Sequence, residues 1–166
     1  MKKMAEQGML TKTYSSVALS HEQKSAQRVL SKLMDRVQQA KRGAASEADT
    51  WREFLCADRY YHDRALERHV IPAIRDSIAE ANTLLRELET LATSSARILH
   101  GVHAQPQAGP AMLGAMEQYC LQLRERLRKE ESELIPLAFR ALTPEEWFAI
   151  AVKCLPEEAA AERQAA

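Results

Sequence analysis

Apolar residues recur at helical spacing through most of the chain, and the pattern predicts five helices. The first is read over residues 15 or 16 to 40, with Leu19, Ala26, Leu30, Leu33 and Val37 on its inner face. Lys41-Arg42-Gly43 closes it, placing cations at the carbonyl end and a glycine just beyond. The second is read over 47–74 and turns Trp51, Leu55, His62, Leu66, His69 and Ala73 inward, with Pro72 bending or ending it. The third runs from 76 to about 99 with Leu84, Leu88 and Leu91 inward, before a loop at 100–110 signalled by Gly and Pro. The fourth, 111–140, presents Met112, Met116, Tyr119, Leu123, Leu127 and Leu134. Thr143-Pro144-Glu145-Glu146 then opens a short fifth helix through Trp147, Ile150 and Val152, with Thr as N-cap and a Glu as its capping-box partner. Residues 1–14 read as a flexible leader, 15–155 as one domain and 156–166 as a solvated tail.

The pattern is duplicated. His62 precedes Pro72 by the same ten positions that separate Arg126 from Pro136, and the two prolines lie 64 residues apart. Glu67 in the first copy matches Glu131 in the second. The partner helices repeat as well: Glu22-Gln23 is followed by Ala26, Leu30 and Leu33, and Glu80-Ala81 by Leu84, Leu88 and Leu91 at the same offsets. Two amphipathic hairpins joined by short loops bury their faces best as an all-α, up-down antiparallel four-helix bundle, here with a short C-terminal fifth helix.

Charge narrows the partners. The 166 residues hold 23 basic and 23 acidic side chains, so no basic field favours nucleic acid or an anionic membrane face. The three cysteines, Cys56, Cys120 and Cys154, have no CxxC spacing and read as isolated thiols of a reducing compartment. The first sixteen residues contain no continuous apolar run, hence neither a secretory signal nor a membrane span is expected, and a cytoplasmic location is. No nucleophile–base pair, phosphate loop or cofactor motif stands out, so no enzymatic activity is expected.

The second copy, KEESELIPLAFRALTPEEW, resembles the ending of the hemerythrin-like family, whose HHE domains bind cations, and the resemblance covers roughly residues 15–152. It implies a four-helix bundle whose inward His and Glu hold a di-iron or related centre for oxygen or nitric oxide binding, sensing or iron handling. Carried over position by position, the helix-one His falls on Gln23 and the helix-three His on Ala81. His62 keeps the helix-two His, but Leu66 replaces the Glu one turn later and leaves Glu67 as the acidic residue. On helix four Arg126 replaces the His while Glu130 remains. Two of the six positions, His62 and Glu130, therefore survive as metal-ligand types. Arg126 lies one turn before Glu130 and can pair with it, supplying the positive charge a metal would otherwise bring. The resulting expectation is a non-catalytic member with a degenerate metal site and no cofactor, retained as a binding or regulatory module with a protein partner or as a homodimer. The alternative is a metal-binding member that uses His62 and Glu130 with Asp58 or Glu67 to hold iron or another divalent ion.

Individual residues carry plainer readings too. His62 is a metal ligand or, more simply, a core histidine oriented by Asp58. His69 lies about 10 Å of helix rise from His62, cannot share an ion with it and reads as a core-edge residue. His21 should face water, and His100 and His103 belong to a solvated loop despite their ligand-like spacing. Glu67, Glu130 and Glu131 could exchange protons if buried, or Glu130 alone points inward. Tyr61 and Tyr119 are core filling.

Overall fold

Helix α1 (Lys2–Lys41) forms the spine of the computed structural model, which describes the backbone of residues 2–104 and 109–165. Residues described within the expected leader continue α1. They are good helix formers, and α7 gives them a surface to pack on. Gly8 lies against Pro144, where an added Cβ would come within 3.1 Å of the proline ring. Lys12 Nζ donates to the Phe139 carbonyl at 3.4 Å. The helix closes as expected at Gly43 (φ +74°), with Ala44 N–H on the Gln39 carbonyl and Gly43 N–H on that of Ala40. This is the paired closure a left-handed glycine permits.

Helix α2 (Glu47–His62) starts at Ser46, whose side chain accepts the Asp49 N–H at 3.0 Å. It does not continue to residue 74. A break at 63–65 is followed by a π turn (Leu66–Val70) and helix α3 (Ile71–Ser77). A 3₁₀ turn (Ala79–Ala81) then leads into α4 (Asn82–Ala104). Helix α5 (Gly109–Lys129) passes through a second π turn (Glu130–Leu134) into α6 (Ile135–Ala141), and α7 (Pro144–Ala165) follows. The expected loop at 100–110 is thus helical up to Ala104, and residues 105–108 lie outside the described part. The fifth helix is longer than expected, because α7 runs through most of the supposed tail. Its start is the expected one: Glu146 N–H donates to Thr143 Oγ1 and Thr143 N–H to Glu146 Oε2.

The two π turns fall 64 residues apart, each just before a proline. Ile71 N–H reaches the Leu66 carbonyl and Ile135 N–H that of Glu130, five residues back in each case. Pro72 and Pro136 lack the N–H that would bond four residues back, and their rings crowd the carbonyl there. One extra residue in the preceding turn relieves the crowding, which is the physical content of the duplicated motif.

The architecture is all-α, with no strand among the described residues. α1 packs on α2, α5 and α7, and α4 on α5. Side-chain pairs fix the directions. Arg36–Glu53 and Gln23–Arg64 make α1 and α2 antiparallel; Gln38–Glu117 and Gln27–Glu131 do the same for α1 and α5. Gly8 meets Pro144 while Leu19 shares a small cavity with Cys154, so α1 and α7 run parallel. The apolar interior forms two clusters. One gathers Ala26, Leu33, Phe54, Met116 and Leu127 with their neighbours, the other Leu19, Leu66, Ile74, Leu88, Leu134 and Trp147 with theirs.

Candidate functional site: a buried charge cluster

Between the two apolar clusters sits a polar one, and the break after α2 builds it. Asp63 caps α2 with its N–H still on the Arg59 carbonyl (φ −82°, ψ −3°), and beyond it side chains satisfy the backbone groups the helix leaves free. Arg64 Nε donates to the Tyr61 carbonyl at 2.9 Å, on the end of α2 where a cation is favoured. Glu22, reaching from α1, accepts the N–H groups of Ala65 at 2.8 Å and Leu66 at 3.1 Å, at the start of the next helical segment. Burial raises the Glu22 pKa despite those two N–H contacts. The break also shifts the register: Thr50, Phe54, Ala57 and Tyr61 face inward on α2, then Leu66 and Val70 beyond it.

Glu130 is the centre of the cluster and is fully buried. Its Oε1 accepts from Tyr61 OH at 2.7 Å, from Arg64 Nη2 at 3.2 Å and from Arg126 Nε at 3.2 Å. Its Oε2 accepts from Arg64 Nη1 at 3.0 Å and from Gln23 Nε2 at 3.2 Å. The Gln23 carbonyl in turn accepts from Arg64. Arg126 also pairs with the half-buried Glu67, which lies 3.8 Å from Arg64. Two guanidiniums thus face the carboxylates of Glu130 and Glu67, with the Glu22 carboxyl close enough to feel both Arg64 and Glu130. Arg64 stacks its guanidinium on the Tyr61 ring at 3.9 Å, a cation–π contact inside low-dielectric surroundings. Burial opposes the charge of Arg64, yet Glu130, Tyr61 and Glu67 together raise its pKa. Burial and then the Glu130 charge raise Tyr61 well above the ordinary phenol range, which keeps it a hydrogen-bond donor.

The structure places the six resemblance positions unevenly. Gln23, Leu66, Ala81, Arg126 and Glu130 are all buried. His62 is not: its side chain is 58 % exposed and pairs with Asp58 at 3.5 Å, outside the cluster. The inward placement of His62 fails because it assumed an unbroken helix to Leu66. Leu55 fails with it, being exposed, while Phe54 takes the inner position. Asp58 does orient His62, but on the surface; it also accepts from Tyr119 OH. Glu131 is exposed and bonds Gln27 at 2.9 Å, whereas Glu67 is drawn partly inward by Arg126. His21 is exposed and His69 half-buried, as read from the sequence. His100 is exposed on α4 and not in a loop; the His103 side chain lies outside the described residues. Cys120 is buried, which pushes its thiol up to about 12, while Cys56 is exposed.

Sequence reasoning missed Arg64, Tyr61 and Glu22. A signal existed: the apolar spacing that runs Phe54, Ala57, Tyr61 steps by five to Leu66, a stride no straight α-helix accommodates on one face.

The donor set does not fit a divalent metal. A carboxylate offers about four lone-pair directions, and five donors already converge on Glu130. Two of those donor groups are permanent cations that would repel an ion. Among the described residues no group of three or more His, Cys, Asp or Glu is arranged to hold a metal. No helix among them is long and apolar enough to cross a membrane. Comparison with known proteins gave no matching family model, no matching curated protein and no matching solved structure.

Proposed function

We propose that this chain is a non-catalytic, hemerythrin-like up-down four-helix bundle that serves as a binding or regulatory module, its former metal centre replaced by the Arg64–Glu130–Arg126 cluster. The observation that carries this reading is the environment of Glu130. A carboxylate at the one fully retained interior position is saturated by two guanidiniums, a phenol and an amide. A metal centre of this kind needs neutral imidazoles and carboxylates with open lone pairs. Here each other interior position that should supply a donor holds Gln, Leu, Ala or Arg instead. The antiparallel pairing of α1 with α2 and α5, and the π turn repeated 64 residues apart, support the bundle and its duplication. A cluster closed to ligands suits a scaffold whose work is done at its surface, with a protein as partner.

Metal analysis tests the replacement. Protein purified aerobically, and protein incubated with ferrous iron, zinc or manganese and then dialysed, should hold far less than one ion per chain. The solution should be colourless, and a chelator should leave the Tm unchanged. One or two ions retained per chain, with a Tm that falls on chelation, would overturn the proposal and favour the metal-binding alternative.

A further inference from the structure

A small cavity of about 60 Å³ lies where α1, α7 and the start of the first π turn meet. Its cause is side-chain size. Ala18 of α1, Ala65 before the turn and Ala151 of α7 all stand on its wall, where larger side chains would close the gap. Leu19, Val70 and Ile150, all buried, make the wall mostly apolar. The half-buried Ala18 and the exposed Tyr14 mark the side on which it opens.

Two groups on the wall decide what fits. Trp147 is fully buried, and its Nε1–H has no hydrogen-bond partner among the described residues. A buried donor left unpaired costs free energy that an entering acceptor recovers. Glu22 is the second group, its two oxygens directed to the Ala65 and Leu66 N–H groups at 2.8 and 3.1 Å. No described residue on the wall is a cation. A carboxyl group with no cation beside it on the wall disfavours an anionic ligand, and an indole N–H offers no lone pair to an ammonium group. The occupant is therefore neutral. A lone water needs two to four polar partners, whereas a carbonyl oxygen is satisfied by one donor and carries alkyl groups that an apolar wall covers. Benzene needs roughly 150 Å³, so this space takes an open chain of on the order of five non-hydrogen atoms.

We propose that this cavity binds small, neutral aliphatic carbonyl compounds, the carbonyl oxygen accepting the Trp147 Nε1–H and the alkyl ends lying against Leu19, Val70 and Ile150. The site does not depend on the fate of the metal centre. Butanone is the probe, with butyrate and butylammonium as charged counterparts of similar size. Each is titrated into the full, isotopically labelled chain and followed through the indole N–H resonances of Trp51 and Trp147, which Trp147→Phe assigns. Butanone should shift the Trp147 resonance along a saturable curve, with a Kd on the order of millimolar, and leave that of Trp51 in place. Butyrate and butylammonium should bind at least about tenfold more weakly. Ala151→Leu and Ala18→Leu each fill part of the cavity and should each weaken butanone binding at least about tenfold. Circular dichroism should find both as helical as the parent; if one fails to fold, the other decides. No saturable shift, equal shifts at Trp51, or a shift that survives the leucine variants would overturn the site. A charged probe that binds as tightly as butanone would overturn the ligand class.

Discussion

The segment at 61–72 and its copy at 125–136 end alike and begin differently. Both finish in a π turn before a proline. In the second copy α5 runs unbroken to the π turn, so Arg126 and Glu130 lie one turn apart on the same inner face and Arg128 points to solvent. The first copy breaks at 63–65. Its counterpart of Arg126, His62, is thereby turned outward, and Arg64, the counterpart of Arg128, is turned in. Leu66, the counterpart of Glu130, stays inside. A slip in helical register, and not the residue types alone, decides which charges the interior holds. Glu130 is compensated by one cation from each half because the halves differ in that slip.

Making the second copy match the first at its centre should have the largest effect. Glu130→Leu leaves Arg64 and Arg126 buried with Glu67 as the carboxylate still at ion-pair distance, and removing one member of a buried ionic cluster costs about 3–5 kcal/mol. Urea unfolding should register that loss in the midpoint. A loss under about 1 kcal/mol would mean that water reaches the guanidiniums and that the cluster is no closed core.

Next is the pair of arginines related by the repeat. Arg64→Ala removes two of the five contacts to Glu130 and the bond that closes the end of α2, while Arg126 still faces the carboxylate. The expected loss is about 2–4 kcal/mol, somewhat below that of Glu130→Leu. Arg128→Ala touches only an exposed pair with Glu125 and should leave the unfolding midpoint where it is. Equal effects at 64 and 128 would show that the break at 63–65 does not set the register in solution.

How much of this was legible follows from the same contrast. In α5 the inner residues Met112, Met116, Tyr119, Leu123 and Leu127 keep a strict helical stride, and the sequence placed all of them and the Arg126–Glu130 approach correctly. In α2 the stride changes within a run of polar residues, where periodicity has little apolar signal to follow. One continuous helix drawn through that run put His62 and Leu55 inside and hid Arg64. The break itself depends on Glu22, a residue on another helix that accepts the N–H groups of Ala65 and Leu66. A contact between residues 43 positions apart cannot be read from local pattern. The extension of α1 was missed for a related reason, since its early turns rest on α7 and α6.

The smallest expected effect separates His62 from its counterpart Arg126. The hydrogen bond that the imidazole donates to Asp58, aided by the Asp58 charge against partial burial, raises the His62 pKa above 6.5. A histidine held charged in this way adds stability below its ordinary pKa, and the contribution disappears as pH rises through the folded value. The side chain is mostly exposed, so solvent screening limits the gain to a few tenths of a kcal/mol, about 0.3. His62→Gln should therefore lower the Tm slightly near about pH 5.5 and leave it unchanged near about pH 8.5. Arg126→Gln should cost stability equally at both, because a guanidinium keeps its charge throughout that range. A His62→Gln penalty that is large and independent of pH would place the imidazole inside the fold, and the two halves would then share one register.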